Sequence, residues 1–213
     1  MRQRYLDIAS TPSVLAARQR YGGDRWAGGA EDDPGGLGEA ERRFIAARDG
    51  FYLASVSETG WPYVQFRGGP AGFLRVLDER RLGYADFRGN RQYITAGNVA
   101  ADDRVSLFLM DYAQRHRLKI FGRLRMVDAR DDPALAERLA VPGYAAKIER
   151  AALITVEAFD WNCPQHITPR LTEAELEVVL APVQDAMARL KAENDRLRRL
   201  LQAAGTPPPQ GAG

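Results

Sequence analysis

Apolar and polar residues alternate over several short stretches in the middle of the chain, which is the pattern of half-buried β-strands. These stretches are rich in β-branched, aromatic and leucine residues and predict six or seven strands, at residues 51–57, 62–66, 73–77, 81–85, 105–110, 118–127 and 153–158. Turn-forming runs at 57–60 and 78–80 join neighbouring stretches, so consecutive strands are expected to pair antiparallel. The pattern favours a barrel or sandwich over a parallel sheet.

Helical periodicity occurs near the N-terminus and at two places among the predicted strands. Helices are predicted at residues 10–21, 39–48, 91–99 and 133–147. The first has Ser10 or Thr11 as its N-cap and Pro12 in its first turn, where a missing backbone N–H costs no helical hydrogen bond. The glycine, aspartate and proline content of residues 22–38 predicts a surface loop, and a proline-glycine pair at 142–143 is expected to break the last helix.

The C-terminal helix, predicted at residues 173–202, carries a heptad repeat. Seven residues at alternating spacings of three and four form this heptad seam: Leu180, Met187, Asn194 and Leu201 at a positions, and Val183, Leu190 and Leu197 at d positions. Leucine at d with one asparagine at a is typical of a parallel two-stranded coiled coil. The alternative is a single amphipathic helix packed on its own domain, because three heptads are short for a coiled coil. The tail 203–213, rich in proline and glycine, is predicted to be disordered.

The length and composition indicate one main domain with a helical appendage. A chain of 213 residues with 45% hydrophobic content is long enough to bury one good core. We therefore expect N-terminal helices and a wrapping loop in residues 1–50, a β-domain in 51–172, the heptad helix in 173–202 and the tail in 203–213.

The overall charge argues against a nucleic-acid partner. Thirty Lys and Arg residues stand against 28 Asp and Glu residues, so the net charge of +2 gives no basic field of the kind that nucleic-acid binding uses. The chain has no apolar run of membrane-spanning length and no hydrophobic secretory signal, and its single cysteine, Cys163, excludes an intrachain disulfide. These features predict a soluble, cytoplasmic protein without nucleic-acid or membrane partners, in which any phosphate recognition is local.

Two arginine-containing turns are candidate phosphate sites. The run 86–92 joins a predicted strand to a predicted helix, where backbone N–H groups, the helix dipole and a guanidinium favour a phosphorylated ligand. Upstream, Arg67 stands beside Gly68 and Gly69 at another strand end. Each turn alone is more often a plain surface turn, but two in one small domain suggest a cradle for a nucleotide or cofactor. No G-x-G-x-x-G motif follows a strand, so a Rossmann domain is not expected.

The segment 160–170, after the last predicted strand, is a third chemically rich stretch. It combines an indole, amides, a thiol, an imidazole and a guanidinium between two prolines, which is typical of a binding loop. The alternative is a connector in which Trp161 plugs the barrel end and His166 is structural. Cys163 and His166 have ligand-like spacing, but a chain with one cysteine and two histidines is not expected to bind a metal. No activating base other than His166 marks Cys163 as a nucleophile.

Segments 60–70, 89–98, 109–112 and 161–170 together resemble the pyridoxamine 5′-phosphate oxidase-like flavoprotein superfamily, and most of all a bacterial subgroup of FMN-binding proteins with unassigned substrate. The resemblance covers about residues 5–172 and leaves the heptad helix outside. It implies a mostly β fold with α additions, a split β-barrel of Greek-key type. It also implies a homodimer, with one FMN in each of two clefts at the subunit interface.

The resemblance also implies which residues hold the cofactor. Arg67 and the run Asn90-Arg91-Gln92 fill the positions that grip the FMN phosphate, and a Trp and an Arg after the last strand reach the flavin from the partner subunit. Backbone N–H groups of the glycines beside Arg67 are candidate donors to the flavin ring. The full set of candidate cofactor-binding residues is Arg67, Gly68, Gly69, Asp86, Asn90, Arg91, Gln92, Trp161, Gln165, His166 and Arg170.

The expected function is that of an FMN-dependent oxidoreductase acting on an unidentified small molecule. No catalytic residue and no substrate follow from the sequence, and pyridoxamine phosphate oxidase activity is not predicted. A non-catalytic flavin-binding or sensor protein, whose C-terminal helix mediates association, is the alternative. A structural dimer with a vestigial cofactor site is a third possibility.

Overall fold

The computed structural model describes residues 1–23, 35–161 and 165–205, except the side chains of Arg2 and Gln3. It forms two compact units, Met1–Thr168 and Pro169–Gly213. The first unit contains α1 (Arg2–Ala9), α2 (Pro12–Arg20), α3 (Glu39–Ala46), β1 (Gly50–Val56), β2 (Pro62–Gly68), β3 (Arg75–Val76), β4 (Arg81–Phe87), α4 (Ile94–Ala101), β5 (Arg104–Asp111), β6 (His116–Asp128), α5 (Pro133–Leu139) and β7 (Ile148–Trp161), and the second contains α6 (Glu173–Ala203). Most of the predicted loop 22–38 and of the predicted tail lies outside the described residues.

The strands form one antiparallel sheet in the order β2-β1-β5-β6-β7-β4-β3. Strands β5, β6 and β7 are antiparallel neighbours in sequence order, and β4 lies beside β7, which makes a Greek key. The sheet curls around a shared core, since Phe51 of β1 contacts Tyr84 of β4 with ring centroids 5.5 Å apart. The predicted fold class is confirmed: a mostly β split barrel with α additions and a long C-terminal helix.

The alternating sequence pattern explains how the sheet covers the core. Along β1, Phe51, Leu53 and Ser55 are buried, whereas Tyr52 and Val56 are exposed and Ala54 is half-buried. A central strand covered on both faces loses this alternation. That is the case for β4, whose residues 82–86 are all buried, and a second small apolar cluster beneath α5 covers its outer side.

Several predicted boundaries are corrected by the structure. Helix α1 was not predicted; it adds Tyr5, which stacks on Phe121 of β6 with ring centroids 4.4 Å apart. The predicted strand 73–77 shrinks to Arg75–Val76, because Phe73 is held in a turn by its N–H bond to the Pro70 carbonyl. The predicted helix 133–147 ends at Leu139, before the proline-glycine pair.

The predicted turns and the first helix cap are confirmed. The turn 57–60 closes the β1–β2 hairpin, with the Gly60 N–H donating to the Ser57 carbonyl at 2.8 Å. Thr11 caps α2 by accepting a hydrogen bond from the Val14 N–H, and Pro12 occupies the first helical turn. These features depend on a few neighbouring residues, so local sequence is enough to predict them.

The second unit is a single helix of 31 residues that begins with a capping box between Thr172 and Glu175. Pro182 lies inside it. The predicted helix is confirmed, and none of its residues is buried. In the described part of the chain, no helix is long and apolar enough to cross a membrane.

Candidate functional site

A polar cleft of about 200 Å³ lies where β2, the end of β4 and the start of β7 meet the loop that leads into α4. The side chains and backbone that line it belong to Tyr63, Gln65, Arg67, Phe87, Gly89, Asn90, Arg91, Gln92, Tyr93, Ile94, Thr95, Ala96, Glu149 and Arg150. The two arginine turns that the sequence marks as phosphate sites therefore lie in one cleft, although more than 20 residues separate them.

A buried carboxylate joins the walls of this cleft. Asp86, near the end of β4, is 1% exposed and accepts hydrogen bonds from Arg67 Nη1 at 2.6 Å and from Arg150 Nε at 2.7 Å. Both of its oxygens are thus occupied by guanidinium groups. Asp86 is among the predicted cofactor-binding residues, and in this structure its carboxylate holds Arg67 and Arg150 in place.

The start of β7 enters the cleft through a break in strand register. Asp86 pairs with Arg150 and Phe87 pairs with Ile148, so Glu149 is an extra residue in β7 that has no paired residue in β4. This irregularity brings Glu149 and Arg150, which are neighbours in sequence, into the same cleft. Glu149 accepts a hydrogen bond from Arg88 Nε at 2.8 Å, and this bond lowers the pKa of its carboxyl group.

The loop before α4 has an unusual backbone. Arg91 and Tyr93 both have positive φ angles, 62° and 54°, and the Asn90 side chain accepts a hydrogen bond from the Gln92 N–H at 3.2 Å. Since two left-handed residues interrupt helical geometry, α4 begins at Ile94 and not at residue 91 as predicted.

Two side-chain hydrogen bonds tie α4 to the sheet. Thr95 donates to Gln65 Oε1 on β2 at 2.9 Å, and Asn98 donates to Ser55 Oγ on β1 at 3.0 Å. The N-cap of α4 makes no side-chain hydrogen bond, so the N–H groups of its first turn lack a capping side chain. The structure thus places the start of a helix at the edge of the cleft.

The charges of the cleft suit a doubly negative group. Three guanidinium groups, on Arg67, Arg91 and Arg150, line the cleft together with the carboxylate of Glu149, which leaves two positive charges in excess. Outside the lining residues, Asp86 pairs with Arg67 and Arg150, and Arg88 pairs with Glu149. Arg67 Nε is buried and lacks a hydrogen-bond partner within the described residues. A buried N–H without a partner is costly, so an acceptor at this point would be stabilising.

The glycines beside Arg67 are required by packing. A Cβ on Gly69 would lie 2.8 Å from Phe73 Cγ, and one on Gly68 would lie 2.9 Å from Phe66 Cε1. Neither glycine lines the cleft, and the Gly69 N–H already donates to the Asp49 carbonyl at 2.9 Å. In this structure the N–H of Gly69 is therefore not available to a flavin ring, contrary to the expectation from the sequence.

The predicted partner-side residues do not line the cleft of their own chain. Trp161 ends β7, whereas the cleft lies at the beginning of this strand; its indole N–H donates to Glu41 Oε1 at 2.7 Å and its ring contacts Phe44 edge-on at 4.7 Å. Gln165 and His166 are exposed, and His166 has a φ of 61°. Arg170 belongs to the second unit, and Cys163 lies outside the described residues, so its predicted lack of a chemical role stays a prediction.

Sequence reasoning missed Glu149 and Arg150 as site residues. It placed the start of the last strand at residue 153, whereas β7 begins at Ile148. The charged residues 149 and 150, before the apolar run that begins the predicted strand, have the composition of a loop. No local signal in the sequence shows that they pair with β4. Tyr63 and Gln65 were also missed, although alternation along β2 places them on the same face as Arg67.

A larger cavity of about 480 Å³ lies beneath α1 and has a different chemistry. Its floor is mostly apolar, and its three arginines already form ion pairs: Arg4 and Arg123 with Glu157, and Arg104 with Asp102. The polar cleft is the better candidate for a phosphorylated ligand, because its cationic groups include Arg91, which forms no ion pair within the described part of the chain.

Comparison with known proteins identifies the family. The sequence model described as pyridoxamine 5′-phosphate oxidase matches residues 37–161, more than half of the chain and every strand of the barrel. The chain belongs to the pyridoxamine 5′-phosphate oxidase family. The matched region contains Arg67, Asp86 and the loop before α4, so the cleft is built from the part of the chain that defines the family. A search of curated proteins found no match.

Solved structures resemble the barrel of this family member. HupZ of Group A Streptococcus is 13% identical, with a TM-score of 0.49 over 63% of this chain and 100% of that one. A Clostridium acetobutylicum protein related to general stress protein 26 of B. subtilis is 13% identical, with a TM-score of 0.46 over 61% and 88%. An FMN-binding protein from Syntrophomonas wolfei is 11% identical, with a TM-score of 0.43 over 57% and 83%. Similarity at this level carries no information about function.

Proposed function

We propose that this protein binds FMN and acts as an FMN-dependent oxidoreductase on a small molecule. The observation that carries the proposal is the cleft with two excess positive charges, in which Arg67 Nε is buried and has no hydrogen-bond partner among the residues that the structure describes. A phosphate monoester carries nearly two negative charges at neutral pH and has several acceptor oxygens. Membership of the pyridoxamine 5′-phosphate oxidase family supports a flavin as the phosphorylated ligand.

The residues of the cleft fit the phosphate end of such a cofactor. Arg67 and Arg91 supply guanidinium donors, the first already oriented by Asp86, while Asn90 and Gln92 shape the loop beside them. Charge-assisted hydrogen bonds of this kind are about twice as strong as neutral ones. When bound, the flavin supplies hydride or electron transfer, and the protein supplies binding, orientation and electrostatics.

We also propose that a second copy of the chain completes the site. The cleft of one chain holds about 200 Å³, below the range of about 300–1,000 Å³ typical of small-molecule pockets. Trp161, Gln165, His166 and Arg170 remain the candidates for the partner's contribution. The indole of Trp161 already bonds Glu41 in its own chain, so Gln165 and His166, which are exposed, are the better ones.

Subunit mixing tests the shared site. Arg67→Ala removes a residue of one wall, and His166→Ala removes a residue of the proposed partner wall. Each variant alone is expected to bind FMN weakly. After subunit exchange, a mixture of the two should regain part of the binding, since each mixed dimer has one cleft with both wild-type residues. A mixture no better than its components contradicts the shared cleft.

The absorption spectrum tests cofactor binding itself. Purified protein, before and after addition of FMN, is expected to show a bound-flavin spectrum, and mass spectrometry of the released cofactor distinguishes FMN from a deazaflavin. A protein that shows no bound-flavin spectrum after addition of FMN would overturn the proposal. A cytoplasmic location and the lack of nucleic-acid or membrane partners stay predictions from the sequence.

A flavin-binding protein without turnover is the second candidate. One observation favours it: Asp86 and Glu149 are both held in ion pairs with arginines, which gives these carboxylates a positioning role and not that of a proton donor. Rapid reduction of the bound flavin by NAD(P)H followed by turnover with an acceptor identifies the oxidoreductase. Stable flavin binding without either reaction identifies the sensor.

A further inference from the structure

The C-terminal helix exposes an apolar stripe along its whole length. Within α6, Met187 is 66% exposed, Leu190 is 71% exposed and Leu197 is 50% exposed. These residues belong to the heptad seam, and none of the 31 residues of the helix is buried. A contiguous apolar stripe on a helix marks an interaction surface, since water contact with such a stripe is unfavourable.

We propose that α6 pairs with α6 of a second copy in a parallel, in-register, two-stranded coiled coil. The helix is about 46 Å long at 1.5 Å per residue, enough for four heptads. Each heptad places its a and d residues against those of the other chain. Pro182 occupies a c position, on the outer side of the pair, so its ring does not enter the seam.

The charges beside the seam select the parallel orientation. In a parallel coil, a g residue faces the e residue of the following heptad in the other chain. Glu193 at g then faces Arg198 at e, which gives two symmetric interchain ion pairs. An antiparallel coil would instead bring e positions together, and the e residues Lys191 and Arg198 are both positive. Within its own chain Glu193 forms an ion pair with the exposed Arg196 at 3.3 Å, a surface contact of small energy.

The asparagine in the seam fixes the register. Asn194 stands at an a position between leucine-rich layers, where a polar residue costs stability unless it meets its own counterpart. In the parallel, in-register pair the two Asn194 side chains face each other and form a hydrogen bond. Any shift by one heptad would bury each amide against an apolar residue, so the register with paired asparagines is the most stable one.

This association does not depend on the cofactor. A parallel coil and an isologous barrel dimer both have twofold symmetry, so the two contacts are compatible in symmetry. A dimer that binds no flavin would therefore leave the coil proposal intact, and a protein that binds flavin without a coil would leave the proposed function intact.

Disulfide trapping in the full chain tests the coil. Cys163→Ser removes the native thiol, and Leu197→Cys then places one thiol at a d position, while Ala192→Cys places it at an f position on the opposite face. In a parallel, in-register pair the two d-position Cβ atoms are close enough for a disulfide, whereas f-position atoms are not. Under mild oxidation we expect most of the Leu197→Cys protein to run as a covalent dimer, and the Ala192→Cys protein to remain monomeric on a non-reducing gel.

Equal crosslinking at both positions, or none at position 197, would overturn the proposal. Asn194→Cys repeats the test at an a position, so a folding defect of one variant does not decide the result.

Charge reversal is the second measurement. In the Leu197→Cys background, Glu193→Arg alone should lower the yield of the disulfide-linked dimer, and adding Arg198→Glu should restore it; a double variant no better than the single one contradicts the parallel pairing.

Discussion

Arg67 on β2 and Asp86 on β4 form an ion pair of 2.6 Å, although their strands lie near opposite ends of the sheet order. This ion pair joins β2 to β4, which are not neighbours in the sheet, on the side of the barrel where the cleft lies. Asp86 holds Arg150 of β7 in the same way, at 2.7 Å, so one carboxylate fixes two guanidinium groups from two strands. The same contact therefore stabilises the fold and shapes the candidate phosphate site.

Asp86→Asn is expected to destabilise the barrel. Removing one charge of a buried ion pair costs about 3–5 kcal/mol, because the remaining charges are left buried without compensation. The free energy of unfolding in urea measures this loss. Asp103→Asn is the matched control, since Asp103 pairs with Arg123 at the exposed surface, where an ion pair contributes about 0–1 kcal/mol. Equal losses in the two variants would contradict the positioning role of Asp86.

Arg67→Ala and Arg91→Ala are each expected to weaken FMN binding. Loss of one charge-assisted phosphate contact costs about 1.5–3 kcal/mol, which is about tenfold or more in affinity. Titration of the apoprotein by flavin fluorescence gives the dissociation constants. Arg43→Ala, at an exposed position on α3 outside the cleft, should bind FMN as the wild type does.

The two arginine variants should differ in stability. Arg67→Ala removes one of the two partners of the buried Asp86 and is expected to lower the unfolding temperature. Arg91 is exposed and forms no ion pair among the described residues, so Arg91→Ala should leave this temperature nearly unchanged. If neither variant changed the affinity for FMN, Arg67 and Arg91 would not be the residues that bind the FMN phosphate.

The difference in unfolding temperature between the wild type and Glu149→Gln is expected to depend on pH. Arg88 lowers the pKa of Glu149 below its ordinary 4.5, so the ionised carboxylate stabilises the folded state above that pH. This contribution is lost as the pH falls through the lowered value in the folded protein. The unfolding temperature of the wild type should therefore exceed that of Glu149→Gln at pH 7, and the gap should close in strongly acidic buffer. Glu58→Gln, in an exposed turn, is the control, and a gap independent of pH contradicts the role given to the Glu149 charge.

Gly69→Ala should be destabilising even in the absence of cofactor. The new Cβ would lie 2.8 Å from Phe73 Cγ, and forcing extra volume into a packed core costs about 1–3 kcal/mol. Gly97→Ala tests the opposite case, because nothing lies within 4 Å of its Cβ position inside α4. There alanine is expected to stabilise by about 0.5–1 kcal/mol through helix propensity. Thermal unfolding of the apoprotein compares them, and a neutral Gly69→Ala would show that packing does not require this glycine.

The sequence by itself determined the local features of this protein. Alternation predicted where the strands run, turn residues predicted the hairpin at 57–60, and the heptad repeat predicted the C-terminal helix. It also singled out Arg67 and the loop containing Arg91, because arginine beside glycine or asparagine at a strand end is a local signal. All of these depend on residues within a few positions of one another.

Only the tertiary structure decided what surrounds Arg67. Asp86 meets Arg150 across 64 residues of chain, and the strand irregularity that admits Glu149 exists only because β7 pairs with β4. Such contacts depend on strand order and register, which are set by the packing of the whole core and leave no mark in the neighbouring sequence. Local chemistry could therefore identify Arg67 and Arg91, but only the folded sheet shows that Asp86 holds Arg67 and that Arg67 Nε has no hydrogen-bond partner among the described residues.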